Sequence, residues 1–286
     1  MASPCRLYVL PAAAAPVALV LRRGPSGWWH LLRWDTRALR LEPGAWFTGS
    51  LYPRRSQVSD DGLLFAYFAL HGAGTGAWGA YLAVSKLPWL TALAAWDTLG
   101  TWTGGCRFGR DRTLHVEAAA MSPEPFAGSY PGRVEVTPLN TDWEARTLQN
   151  ERARGWREVA AGARTAAEEA LALPSEPAEL LRRERPGGDG ALVVANLGSA
   201  ISTRAPSIEH ARLEYGLDDG RGLTPLADAA WADWDDRGRL LVATTSGSLE
   251  VRTPLAAGRR WKTAWTRDLN GLSPEPRPSP GWARRW

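Results

Sequence analysis

Short apolar runs alternate along the chain with clusters of Gly, Asp and Pro. The clearest is Leu63–Leu70, a continuous apolar run that follows the polar segment Ser59-Asp60-Asp61-Gly62. A run of this length, bounded by turn residues and lacking a helical period, predicts a buried strand entered through a tight turn. Gly62 tolerates a positive φ, and an aspartate ahead of it can accept hydrogen bonds from amides just downstream. The same order of parts returns. "SQVSDDGLLFAYF" (Ser56–Phe68) matches "WADWDDRGRLLVAT" (Trp231–Thr244). Weaker copies are "GCRFGRDRTLHVEA" (Gly105–Ala118), with Asp111 at the turn, and "RRERPGGDGALVVAN" (Arg182–Asn196), with Asp189-Gly190 there.

The segments after each copy also correspond, and together they predict a repeating unit of four strands in a meander. Five units result. The first comprises Arg6–Leu10, Val17–Arg22, Trp29–Trp34 and Ala38–Leu41. The second comprises Arg55–Val58, Leu63–Leu70, Trp78–Ser85 and Thr91–Asp97. The third has Gly105–Phe108, Thr113–Ala118 and Arg133–Leu139, with its last strand unassigned. The fourth has Leu180–Glu184, Ala191–Asn196, Ala211–Leu217 and Leu223–Asp228, and the fifth has Trp231–Trp234, Leu240–Thr244, Ser248–Thr253 and Trp261–Trp265. The turn aspartates lie 111 − 61 = 50 and 236 − 189 = 47 residues apart, the spacing of propeller blades. The longer gap, 189 − 111 = 78, holds an Ala-, Glu- and Arg-rich stretch that reads as amphipathic helix and ends by Pro174.

The Ser-Asp-Asp-Gly turn ahead of an apolar strand resembles the inner-strand turn of bacterial WD-repeat-like β-propellers, in which Ser-Pro-Asp-Gly is common. No Gly-His opens a unit and no Trp-Asp closes one; Trp34-Asp35 and Trp96-Asp97 are the nearest matches. The expected fold is all-β: a five-bladed β-propeller of four-stranded antiparallel meanders, with a helical insertion between blades three and four. The expected organisation is one propeller domain over 1–272, with the insertion near 143–173. A Pro-rich tail over 273–286, extended or poorly ordered, carries two Trp able to dock.

Composition agrees with a β-rich globular chain: 44% hydrophobic, 22% charged, and 16 Trp against 5 Phe and 6 Tyr. A net charge of +4 with scattered arginines falls well short of a nucleic-acid footprint. Two cysteines, Cys5 and Cys106, fit a reducing compartment and a cytoplasmic protein. The apolar run Leu7–Leu21 is broken by Pro11 and Pro16 and reads as strand in place of a leader, and no stretch is long enough to span a membrane.

Candidate chemistry is sparse. His30, His71, His115 and His210 have no metal-site spacing, and His115 is expected on a packed strand. No nucleophile elbow or phosphate loop occurs; "GAGTGAWG" (Gly72–Gly79) joins strands instead of opening a helix. Neither catalytic residues nor a metal or other cofactor is expected. A glycosidase needs two facing carboxylates. Asp233 and Asp235 lie on the inner strand of blade five, but Gln57 and Arg107 hold the matching places in blades two and three. Asp60, Asp61 and Asp236 read as turn formers.

The loops leading into each first strand, and those joining second to third strands, fall on one rim. They bring Trp28, Trp46, Tyr52, Arg54, Arg55, Trp78, Trp102 and Tyr130 to a single face. Trp, Tyr and Arg are enriched at binding hot spots, so this face is the candidate site for a protein partner. Trp wedged between blades is the competing structural role. The repeat does not explain Arg54 and Arg55, for which an inter-blade salt bridge is the alternative. The preferred function is a non-enzymatic scaffold; the alternative is a carbohydrate-directed propeller, lectin or glycosidase, with aromatic platforms for sugar rings.

Overall fold

The computed structural model describes residues 3–24, 27–70, 79–98, 100–101, 103–139, 147–199, 211–255 and 261–286. Five β-sheets make the chain a five-bladed β-propeller. The chain divides into two compact units: Val9–Thr141 with Ser273–Trp286, and Met1–Tyr8 with Asp142–Leu272. The larger-numbered blades, four and five, belong to the second of these, here called unit one; blades two and three belong to unit two.

Blade one is β1 (Arg6–Pro11), β2 (Val17–Arg23), β3 (Trp28–Asp35) and β4 (Arg40–Thr48), paired in chain order. The last strand does not end at Leu41 but runs on to Thr48, through a bulge opposite His30–Leu32. Gly44 is required there: a Cβ would stand 2.2 Å from the Pro88 carbonyl oxygen, and the next amide, Ala45, donates to that same oxygen. Trp46 therefore lies on a strand and not in a loop, and Trp28 opens β3.

Blade two begins with β5 (Ser50–Leu51) and β6 (Gln57–Val58), interrupted by a 3-10 turn at Pro53–Arg55. It continues through β7 (Leu64–Leu70), β8 (Ala80–Lys86) and β9 (Ala94–Asp97). The turn into β7 has the chemistry its sequence implies. Gly62 adopts φ +73°, and its amide donates to the Ser59 carbonyl. Asp61 Oδ1 accepts from Ser59 Oγ at 2.6 Å and from the Leu63 amide at 3.0 Å. In the matching turn of blade five, Asp235 takes the place of Ser59, accepting from the Arg237 and Arg239 amides, with Gly238 at φ +67°. The true counterpart of Asp61 is thus Arg237 and not Asp236, since both glycines lie three residues after the first turn position.

Blade three is where the meander fails. It holds β10 (Thr103–Phe108), β11 (Leu114–Ala118) and, after a detour, β13 (Val134–Thr137), which runs parallel to β11. The detour is β12 (Ala127–Gly128), which pairs with β9 as an extra edge strand of blade two. Gly128 permits this approach: it has φ +71°, and a Cβ would lie 2.0 Å from the Leu93 carbonyl oxygen. Blades two and three share a core that includes Leu82, Trp96, Cys106, Leu114 and Val116.

Among the described residues of unit one, the insertion holds two α-helices, α1 (Gln149–Ala153) and α2 (Ala161–Ala170), separated by a strand, β14 (Arg157–Glu158). That strand was not expected in an Ala- and Arg-rich stretch. It pairs with β15 (Glu179–Glu184), which is followed in the sheet by β16 (Ala191–Ser199), β17 (Ala211–Asp218) and β18 (Leu223–Pro225). Blade five is β19 (Ala229–Trp234), β20 (Leu240–Thr244), β21 (Ser248–Pro254) and β22 (Trp261–Asp268), a regular antiparallel meander. No helix among the described residues is long and apolar enough to cross a membrane.

Candidate functional site

The residues singled out for one rim fall into separate groups. Trp78 and Trp102 lie outside the described residues. In blade one, cross-strand pairing sets Arg22 beside His30 and His30 beside Trp46. Trp46 stacks on the His30 ring at 4.0 Å, meets Trp28 edge-on at 6.3 Å, and has the Arg22 guanidinium 5.9 Å from its centroid. His30 is buried, and burial, with the Arg22 charge beside it, lowers its pKa to about 4. A neutral, buried imidazole packed flat against indole is a core residue. Trp28 and Trp46 remain half-buried.

Blade two holds the second group. Arg55 is buried; its Nη1 donates to the Thr101 carbonyl at 2.9 Å, and its guanidinium lies 5.1 Å from the Tyr52 ring and 5.5 Å from Phe68. Through the Thr101 carbonyl, Arg55 staples blade two to the segment entering β10. Gly105 shows how close this contact is, since a Cβ there would stand 2.8 Å from Arg55 Cα. Tyr52 packs on Phe68 at 4.9 Å, and Arg54 is half-buried.

Tyr130 is at the opposite end of the strands from these groups. The parallel β11–β13 pairing forces the chain to return to the start of β11, so the Tyr130 hydroxyl donates to the Arg112 carbonyl at 2.8 Å. There it borders a groove of about 500 Å3 in unit two. The groove runs between the Ser59–Gly62 turn and the Gly109–Arg112 turn, and its apolar walls are Leu63, Leu64, Phe108, Tyr130, Pro131 and Trp286. Leu63 is 59% exposed and Trp286 41% exposed. Asp60, Asp61, Lys86 and Arg112 supply its charged margin.

The C-terminal segment completes one wall. It is docked in unit two: Lys86 Nζ donates to the Trp282 carbonyl at 3.2 Å, and Thr91 Oγ1 to Ser279 Oγ at 2.7 Å. Trp286 meets Tyr130 edge-on at 5.6 Å, its indole N–H directed at the Ser129 carbonyl. Ala283 is buried. The sequence places Leu63 and Phe108 in strands and Trp286 among the two tail Trp able to dock, none of them at the candidate face. Leu63, expected to open a buried strand, is exposed because it still lies on the outer side of the Asp-Gly turn.

The acids considered for catalysis are engaged. Asp233 is buried against the Arg154 and Arg183 guanidiniums and accepts from the Trp234 amide at 2.7 Å. Asp235 holds its turn and accepts from Arg239 Nε at 2.6 Å. His115 Nδ1 lies 3.0 Å from Glu135 Oε2 on the neighbouring strand; His71 and His210 lie outside the described residues. Among the described residues no cluster of His, Cys, Asp and Glu suits a metal ion. Cys5 and Cys106 are buried, their thiols directed at the Gly247 and Arg55 carbonyls, and burial pushes the Cys106 thiol well up. No known family model and no curated protein sequence matches the chain.

Proposed function

We propose that the protein is a non-enzymatic, cytoplasmic scaffold that binds a protein partner. The observation that carries this reading is the apolar groove of unit two, where Leu63 and Trp286 expose large side chains around a formed cavity. Exposed apolar surface with a polar margin is the signature of a protein-docking site. Trp286 and Tyr130 supply rigid aromatic area, and the Asp60–Asp61 and Lys86–Arg112 margins set orientation. The half-buried Trp28–Trp46 pair, with Tyr52 and Arg54, is a second, smaller aromatic contact in the same proposal. Engagement of Asp233 and Asp235 by arginines and turn amides supports the non-enzymatic part. Kinship with WD-repeat-like propellers rests on the repeated turn alone.

The test compares partners captured by the wild-type chain with those captured by Leu63→Asp and by Trp28→Ala. A partner retained by wild type and lost with Leu63→Asp, in a variant that keeps its β-rich circular dichroism, is the expected outcome. A partner set untouched by Leu63→Asp and lost with Trp28→Ala would move the site to the blade-one aromatics. Loss with neither would remove both surfaces.

A further inference from the structure

Unit one holds a larger cavity, of about 900 Å3, within the range typical of small-ligand sites, about 300–1,000 Å3. Its floor is one face of α2, where Ala163, Ala166, Ala167 and Ala170 recur at helical spacing. Val193 of β16 and Leu223 of β18 continue the apolar surface. This wall is firm: Val193 packs in a core with Leu171, Leu180 and Ala195, and Gly216 leaves no room for a Cβ beneath Leu171 and Leu223.

The polar wall is built from guanidiniums. Arg154, Arg157, Arg182 and Arg183 all border the cavity, beside Glu158 and Glu184. Their neutralisation is uneven. Arg182 has two carboxylates, Glu184 and Asp218, each at 2.7 Å. Glu158 is taken by Arg152. Arg154 and Arg183 share the single carboxylate of Asp233. Arg157 spends an N–H on the Trp156 carbonyl at 3.1 Å and has no ion pair among the described residues. Glu151, buried nearby, favours the Arg154 charge without forming an ion pair with it among the described residues. Positive charge is therefore in surplus at the Arg154–Arg157 end.

Arg154 is the informative residue. Its side chain is only 6% exposed, yet Asp233 is its sole ion-pair partner among the described residues. Burial and the neighbouring Arg183 lower its pKa to about 9. A guanidinium carries five N–H donors in a planar fork, and leaving them unmet in a desolvated site is unfavourable. An anion entering from the cavity would meet both needs.

We propose that this cavity binds an amphipathic organic anion. Its carboxylate or phosphate head would lie against Arg154 and Arg157, and its apolar body along the alanines of α2. The guanidinium fork suits either head group in bidentate fashion. An apolar floor without an aromatic platform favours an alkyl body over a ring to be stacked.

The test is isothermal titration of the full chain with decanoate, decyl phosphate, decanol and inorganic phosphate, below the micelle threshold. Both decyl anions should bind, with decanol and inorganic phosphate each about tenfold weaker or more, because each lacks one half of the recognition. The tighter of the two anions identifies the head group. Arg157→Gln should weaken the anions about fivefold and leave decanol unchanged, while Ala166→Trp should abolish binding by filling the floor. Arg154→Gln would disturb the buried Asp233 cluster, so the exposed Arg157 and Ala166 sites carry the test. No binding of either anion to folded wild type overturns the proposal. So does equal binding of decanol, or binding unaffected in both variants. Leu63→Asp in unit two should leave the titration unchanged, which separates this outcome from that of the groove.

Discussion

Replacing Arg55 by alanine tests whether an arginine of the predicted binding face is structural. The wild-type guanidinium gives Thr101 a charge-assisted hydrogen bond of 2.9 Å and lies over the Tyr52 and Phe68 rings. A hydrogen bond of that kind contributes about 2 kcal/mol, and a partly desolvated cation–π contact about 1 kcal/mol. The expected loss is therefore about 3 kcal/mol. For a unit of this size, that lowers the melting temperature by about 6–12 °C. Arg54→Ala, at the adjacent half-buried position, should cost about 1 kcal/mol or less. Thermal unfolding of both variants, followed by circular dichroism and tryptophan fluorescence, supplies the comparison. Equal melting temperatures for Arg55→Ala and wild type would refute the staple and return Arg55 to the binding surface.

His30 titrates near pH 4 when folded and near its ordinary 6.5 when unfolded. Between those values the unfolded chain binds the extra proton, so stability rises with pH across the window. It is fully present above pH 6.5, and about 3 kcal/mol of it is lost by pH 4. His30→Gln should flatten that part of the stability–pH curve, and identical curves would contradict the burial argument. Gly128→Ala should detach β12 and cost about 2 kcal/mol or more, from positive φ plus the contact with Leu93, read as a lower melting temperature. Asp233→Asn leaves the buried Arg154 and half-buried Arg183 guanidiniums without their shared carboxylate and should cost about 3–5 kcal/mol in denaturant unfolding of unit one. Unchanged unfolding would mean that the cluster is already solvated.

The repeated turn was legible because its chemistry is local: Ser59, Asp61 and Gly62 fix their own backbone, and the apolar run behind them fixes the strand. Strands β20 and β7 fall within a residue of their sequence boundaries for that reason. What escaped depends on partners far along the chain. Gly128 reads as a loop glycine until Leu93 is placed beside it, and only that approach makes β12 an edge strand of blade two. The same detour moves Tyr130 to the far end of its blade. Pro43-Gly44 reads as a break, but Pro88 turns it into a bulge that lengthens β4 and carries Trp46 into the sheet. The Arg55 staple is not legible either, because the carbonyl it reaches at Thr101 belongs to the backbone, which no residue type announces. Trp286 gains a role only through Tyr130 and Ser129, more than 150 positions earlier.

Site-specific photo-crosslinking tests the docking groove most directly. A benzophenone side chain at position 63 should form an adduct with a discrete protein partner, and Trp286→Ala in the same chain should diminish that adduct. The same group at the exposed Arg267 position in unit one should yield none. Adducts of equal yield from positions 63 and 267, or an adduct at 63 indifferent to Trp286→Ala, would contradict the groove as the partner site.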